Sequence, residues 1–240
     1  MKIVLLTALG VGGATVFGAL IGFIFKKISH KFSDIILAFG AGVMLSASIL
    51  GLILPSLEYG GKYSVLITFL GIFTGAICID LIEKSVPHLD VLTQKDNDSF
   101  KKVMLFVLAI AIHNLPEGIA AGVGFGTGNI SSAIMIAIGI ALQNIPEGMV
   151  IIGPMLSVGI SPKKTFFYAM LTGVIEVIGT FIGYFAVNLA TSILPFSLAF
   201  AGGTMLYVIS DEMIPETHSH GNEKGATYAL LVGFAMMLLF

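Results

Sequence analysis

Charged side chains are scarce in this chain. They make up 11% of its 240 residues, whereas hydrophobic side chains make up 56%, and the mean hydropathy is +1.00. A soluble domain carries roughly 25% charged residues, because its surface has to be compatible with water. The shortage of charge therefore excludes a soluble globular domain and a disordered chain. It indicates an integral membrane protein.

Cysteine is rare and arginine is absent. The one cysteine is Cys78, so the chain can form neither an intrachain disulfide nor a thiolate metal cluster. All twelve basic residues are lysines, and no basic stretch is interleaved with aromatic side chains. We therefore expect no nucleic-acid partner.

Long apolar runs predict eight transmembrane helices in a single domain over residues 1–240. A helix needs about 20 apolar residues to cross the hydrocarbon of a bilayer. These runs do not alternate in the way that barrel strands do, so the predicted fold is an all-α integral membrane protein. The first run is longer than the apolar part of a signal peptide, roughly 7–15 residues, and counts as a span. The predicted spans are 3–25, 34–56, 64–83, 102–125, 131–156, 163–188, 194–212 and 226–240.

The lysines lie mainly on one side of the predicted bundle. Ten of the twelve lie in or beside the first, third, fifth and seventh links, and Lys2 and Lys62 lie on the other side. The positive-inside rule places those four links in the cytoplasm and both termini outside. The third link, 84–101, is the longest of them. The ten lysines are Lys26, Lys27, Lys31, Lys84, Lys95, Lys101, Lys102, Lys163, Lys164 and Lys224.

One polar pattern occurs twice in apolar surroundings. His-Asn-Leu-Pro-Glu-Gly fills 113–118 in span 4, and Gln-Asn-Ile-Pro-Glu-Gly fills 143–148 in span 5. Helical spacing places the polar residues of each copy on one face with its glutamate. Spans 4 and 5 form an antiparallel hairpin with both copies near mid-helix, so we expect the copies to meet at similar depth. Glu176 adds a third carboxylate near the middle of span 6.

The three intramembrane carboxylates lack a fixed counter-charge in the sequence. Each carboxylate at the bilayer centre costs at least about 2.5–3.5 kcal/mol, and every lysine lies at or beyond the end of a span. The neutralising charge must therefore be mobile, either a proton or a metal cation. One imidazole, three carboxylates and several amide oxygens suit Zn²⁺ or Fe²⁺, with Mn²⁺ also possible.

Two functions follow from these alternatives. The first is transport of a divalent metal, and the second is a proton-coupled secondary carrier of another solute. A third function, an intramembrane metalloenzyme, would be expected to show His-Glu-x-x-His on one helix. No such pattern follows His113, so we predict that the protein is not an enzyme.

At these residues the sequence resembles the ZIP family of divalent-metal transporters, in its bacterial GufA-type branch. The resemblance rests on the paired motif and Glu176, with Gly-Val-Met-Leu at 42–45 and Pro-Glu-Thr-His at 215–218. It implies a 3+2+3 arrangement in which spans 1–3 and 6–8 form an inverted repeat. Spans 1, 4, 5 and 6 would move against the others. A multi-pass protein of the cell (inner) membrane, often a homodimer in relatives, would import Zn²⁺, and also Fe²⁺, Mn²⁺ or Cd²⁺, as bound cargo without a catalytic cofactor.

The resemblance also implies a binuclear metal centre in which Glu117 and Glu147 bridge two ions. Many relatives have histidine at the position of Gln143, and some have an acidic residue at the position of Asn144, so the second site is less anionic here. The first site would comprise His113, Glu117, Gln143 and Glu147, with Met44 nearby. The second would comprise Asn114, Glu117, Asn144, Glu147 and Glu176.

Acidic residues and histidines also gather at the predicted cytoplasmic ends of spans 3 and 7. They are either solvated helix ends or an exit relay that takes metal from the centre. The resemblance favours Asp80, Glu212 and His218 for such a relay. The remaining members of the group are Glu83, His88, Asp211, Glu216 and His220.

Overall fold

The computed structural model describes residues 1–25, 29–85 and 99–239, and this part of the chain is helical throughout apart from short turns. The all-α prediction is therefore confirmed. Seven helices are long and apolar enough to cross a membrane, whereas the last has only 15 residues. The helices are α1 Lys2–Ile24, α2 His30–Tyr59, α3 Ser64–Ser85, α4 Ser99–Gly124, α5 Ile130–Ser157, α6 Pro162–Leu189, α7 Thr191–Thr217 and α8 Glu223–Met237.

Two helices run past their predicted ends for a common reason. α2 contains a π-helical segment at Ala47–Ile53, and α7 contains one at Ile209–Met213. In each case a proline, Pro55 or Pro215, stands in the first turn of the α-helical segment that directly follows the π-helical one. Asp211 and Glu212, at the predicted end of span 7, and Glu216, beyond it, therefore all lie within α7.

The third link is shorter than predicted, because α3 and α4 take residues from both of its ends. Its middle, residues 86–98 with His88, lies outside the described part of the chain. The same is true of Lys26 and Lys27, two of the lysines on which the predicted orientation rests.

Helices α1, α4, α5 and α6 form one closely packed group. α1 packs along α5 and α6, and α4 packs along α6. Glycines allow their backbones to touch. A Cβ atom built on Gly12 would lie 2.3 Å from the carbonyl oxygen of Gly173, and one on Gly148 would lie 2.0 Å from that of Thr15. No side chain fits at such separations, so these helices are fixed relative to one another.

The remaining helices form a second group, in which glycines again allow close contact between backbones. α2 packs against α8, and α3 packs against α7. A Cβ on Gly42 would lie 1.9 Å from the carbonyl oxygen of Leu230, and one on Gly75 would lie 2.2 Å from that of Phe200.

Contacts between the two groups are looser. Gly40 of α2 would bring a Cβ only to 3.4 Å from the Cβ of Gln143 in α5, and Gly51 faces the Ile136 side chain rather than a backbone. Among the described glycines, the approaches to a backbone carbonyl below 3 Å that join two long helices all lie within one group. The boundary between the groups is therefore a side-chain interface.

Two adjacent glycines of α1 test this packing. Gly12→Ala should lower the thermal stability of the detergent-solubilised protein, by about 1–3 kcal/mol, because the added methyl overlaps the α6 backbone. Gly13→Ala is the matched control, since a Cβ at Gly13 meets nothing within 4 Å. The control should be neutral or stabilising by up to about 1 kcal/mol, because alanine is the better helix former. Equal melting temperatures for the two variants would contradict the packing.

Candidate metal centre

The two copies of the repeated motif meet where α4 and α5 cross. Gln143 Nε2 donates a hydrogen bond to the Glu117 carboxylate, and it also donates to Asn144 Oδ1 at 2.8 Å. Glu117 and Gln143 are each only 2% exposed. A side-chain amide of one copy thus stabilises the buried carboxylate of the other.

Glu176 joins this group from α6. Asn144 Nδ2 donates to Glu176 Oε1 at 2.5 Å and to the backbone oxygen of Val11 at 3.2 Å. Thr15 Oγ1 donates to Glu176 Oε2 at 3.4 Å. Thr15 was missing from the sequence prediction, although a threonine on the glycine-rich face of an apolar span was a usable signal. We call Asn114, Glu117, Gln143, Asn144, Glu147 and Glu176 the central site.

Some polar atoms of the central site have no partner among the described residues. Both side-chain amide atoms of Asn114 are buried without a hydrogen bond, and so is Oε2 of Glu147. Leaving a buried polar group unpaired costs about 1–3 kcal/mol, and more for a charged group. These oxygens are therefore the ones that a bound cation could coordinate without first breaking a hydrogen bond.

His113 lies away from the central site. Its Nε2 is 2.6 Å from Glu212 Oε1 of α7 and 3.6 Å from Glu83 Oε1 of α3, although the contact with Glu212 lacks hydrogen-bond geometry. One ligand atom from each residue lies within 4.8 Å of the others. We call these three residues the His113 cluster. An imidazole and two carboxylates are ligands that Zn²⁺ accepts.

The sequence pattern indicated Glu83 only as one of the acidic residues at the end of span 3. Asp80 was named instead, one turn earlier on the same helix. In the structure Asp80 accepts hydrogen bonds from Lys84 Nζ at 2.7 Å and from the Tyr207 hydroxyl at 3.2 Å. The helix phase that directs Glu83 towards His113 cannot be read from one helix alone.

The other two expected residues lie elsewhere. Met44 is 1% exposed in the apolar core, in a cluster with Val11 and Ile140. His218 sits at the end of α7, where Nδ1 is 2.9 Å from the Ile214 oxygen and Nε2 is 3.1 Å from Thr227 Oγ1. Both ring nitrogens of His218 thus have local partners.

A cavity of about 440 Å³ connects the central site with the His113 cluster. It begins at Glu117, Gln143 and Glu147, passes His113 and Glu212, and reaches the exposed residue Glu216. That end of the bundle carries the lysine-rich links. Towards the other end, fully buried apolar side chains of α2, α5 and α7 fill the space, namely Leu52, Ile136 and Leu198. Glu117 and Glu147 are therefore accessible from one side.

Comparisons with known proteins agree with this architecture. The family described as ZIP Zinc transporter matches residues 90–240. Zinc transporter GufA of Myxococcus xanthus is 35% identical over 98% of this chain and 96% of its own length. Zinc transporter ZIPB of Bordetella bronchiseptica is 35% identical over 94% of this chain and 76% of its own. Zinc transporter ZIP11 of Homo sapiens is 45% identical over 64% of this chain and 46% of its own.

The two motif asparagines should respond oppositely to one substitution. Asn114→Leu removes two buried, unpartnered polar atoms, so it should stabilise the metal-free protein by about 1–3 kcal/mol. Asn144→Leu breaks the hydrogen bonds to Glu176, Val11 and Gln143, so it should destabilise the protein by a similar amount. Thermal melts in the presence of a chelator measure both. Shifts of the same sign would show that Asn114 has partners after all.

Proposed function

Because the chain belongs to the ZIP zinc transporter family, we propose that this multi-pass, divalent-metal membrane transporter carries Zn²⁺ from outside into the cytoplasm through the central site. Its named relatives are transporters, and no enzymatic activity is expected. They also give no support to a carrier of another solute. Fe²⁺, Mn²⁺ and Cd²⁺ are further candidate cargoes, and the inner cell membrane is the proposed location.

The observation that carries this proposal is the convergence of three carboxylates, of which Glu117 and Glu176 are buried and Glu147 is half-buried, beside the closed end of a cavity. Glu117, Glu147 and Glu176 come from three helices. Gln143 donates to Glu117 and Asn144 donates to Glu176, while Glu117 and Glu147 line the cavity. In the described part of the chain, no lysine forms an ion pair with any of them. A divalent cation supplies the missing positive charge and coordinates the oxygens of Glu147 and Asn114 that have no hydrogen-bond partner.

We propose that His113 passes the metal from the central site to the exit. His113 lies one helical turn before Glu117 on α4, so a rotation of its side chain can move the imidazole between two sets of oxygen ligands. Glu117, Gln143 and Glu147 form the set at the centre, and Glu83 and Glu212 form the set nearer the cavity mouth. The structure has His113 in the second position.

The 3+2+3 arrangement remains our proposal, and matched contacts support it. In the pair α1 and α5, Gly148 faces the Thr15 oxygen and Gly18 faces that of Ile145. In the pair α6 and α4, Gly118 faces the Glu176 oxygen and Gly179 faces that of Leu115. Thr15 and Glu176 are 161 residues apart, as are Gly18 and Gly179. An inverted repeat that relates α1 to α6 and α4 to α5 would produce these equal separations.

We further propose that the group of α1, α4, α5 and α6 moves against the other four helices during transport. The close backbone contacts hold each group together, and the side-chain interface between them can shift. Termini outside and a homodimer remain predictions.

The paired glutamates are the decisive test. Glu117→Ala/Glu147→Ala should reduce uptake of radioactive Zn²⁺ into proteoliposomes to the level of empty liposomes, because the transported ion loses both bridging carboxylates. Competition by Fe²⁺, Mn²⁺ and Cd²⁺ in the unmodified protein would rank the cargoes.

The matched control is Glu58→Ala/Glu223→Ala, which removes two exposed carboxylates outside the cavity. Its uptake should equal that of the unmodified protein. Retained uptake in a correctly folded Glu117→Ala/Glu147→Ala variant would refute the central site as the metal pathway.

A further inference from the structure

A second group of histidine and carboxylate side chains lies at the mouth of the cavity. His30 opens α2, and His220 lies in the turn between α7 and α8, and both line the cavity. Asp34 lies one turn into α2. We call His30, Asp34 and His220 the mouth cluster. None of the three belongs to the central site or to the His113 cluster.

Asp34 orients one of these histidines. It is 2% exposed, and its Oδ1 lies 3.0 Å from His220 Nδ1. Because an ionised carboxylate only accepts hydrogen bonds, Nδ1 is the nitrogen that donates to Asp34, and in the neutral imidazole Nε2 then has the free lone pair. Metal-binding histidines commonly have this arrangement, in which a carboxylate holds one ring nitrogen and the other faces the ion. The Ser219 hydroxyl, 3.4 Å from Nε2, can donate to the same lone pair.

The contact between Asp34 and His220 uses only one of the two carboxylate oxygens of Asp34. Asp34 Oδ2 is buried and has no hydrogen-bond partner among the described residues. Native proteins leave few buried polar atoms unpaired, since each costs about 1–3 kcal/mol. A cation bound beside His220 would offset this cost, because it adds positive charge next to the carboxylate.

The second imidazole of the mouth cluster, that of His30, lies beside the His220 ring. The His30 ring stacks on the His220 ring with centroids 4.7 Å apart and planes inclined by 28°. Stacked rings do not converge on one ion, but His30 is exposed and can turn. Glu216, also on the cavity wall, adds a carboxylate at the same level.

We propose that the mouth cluster binds a divalent transition-metal cation, with His220 and His30 as ligands and Asp34 as the residue that positions His220. Imidazole ligands suit Zn²⁺ and its neighbours among the divalent metals. The proposal deepens the proposed function, because the site would be the last binding station before release into the cytoplasm. A site with few ligands, one of them mobile, holds an ion weakly enough to let it leave.

The test separates this site from the others by removing them. In a His113→Ala/Glu117→Ala/Glu147→Ala background, equilibrium dialysis and absorption spectroscopy with Co²⁺ should still detect one bound ion. Adding His220→Ala or His30→Ala should weaken that binding at least about tenfold, and Asp34→Asn should weaken it about 10–100-fold. Glu223→Gln, an exposed carboxylate at the same end but outside the cavity, is the control and should leave binding unchanged.

A second measurement uses the unmutated protein and needs no variant to fold. Cd²⁺ should protect His30 and His220 from a histidine-acylating reagent, as read by mass spectrometry. Equal modification rates with and without Cd²⁺, or Co²⁺ binding that is unaffected by His220→Ala, would overturn the mouth cluster as a metal site. Either failure is distinct from failure of the proposed function, which shows in Zn²⁺ uptake by the glutamate variants.

Discussion

The structure depends on three intramembrane carboxylates, Glu117, Glu147 and Glu176, for which the described part of the chain provides no lysine as a fixed counter-charge. Neutral donors do part of the work: Gln143 stabilises Glu117, and Asn144 and Thr15 stabilise Glu176. Such bonds stabilise a carboxylate but do not cancel its charge. Glu147 retains a buried oxygen without a partner. The negative charge of the centre therefore needs a mobile cation to balance it, and in the proposed function the cavity and the His113 cluster provide the path for that cation.

The repeated motif carries packing as well as chemistry. Directly after each glutamate stands a glycine, and each glycine faces a backbone oxygen of a neighbouring helix: Gly118 that of Glu176, and Gly148 that of Thr15. The close approach brings α6 near enough for Glu176 to accept a hydrogen bond from Asn144 of α5, and α1 near enough for Thr15 to donate to Glu176. A larger residue after either glutamate would separate the helices and open the site. The Pro-Glu-Gly sequence is thus a single unit, in which the ligand and the space for its neighbours are set together.

Hydropathy was sufficient to predict the apolar helices, and the motif repeat was sufficient to predict that polar side chains of α4 and α5 meet, because those signals are local. The errors arose where side-chain contacts depend on helices that are distant in the sequence. Helical spacing put His113 on the face of Glu117, but its side chain lies against Glu212 and Glu83 from α7 and α3. The apolar run of span 7 ended at the acidic residues, yet a π-helical segment carries the helix through them. Which residue of Asp80 and Glu83 faces α4 depends on how α3 packs, and this was not encoded in the pattern of α3 alone.

The two ends of the bundle differ at equivalent positions, which accounts for the one-sided cavity. Residues 41–55 of α2 and 201–215 of α7 both begin with Ala-Gly and end with proline, 160 residues apart. In the proposed inverted repeat, Leu52 therefore corresponds to Glu212. Leu52 is fully buried in the apolar core, whereas Glu212 contacts His113 on the cavity wall. One pair of related helices thus closes one end with hydrocarbon and lines the other with carboxylate. An ion that leaves the centre meets ligands on only one side, so the lining of the cavity, rather than the central site, marks the exit.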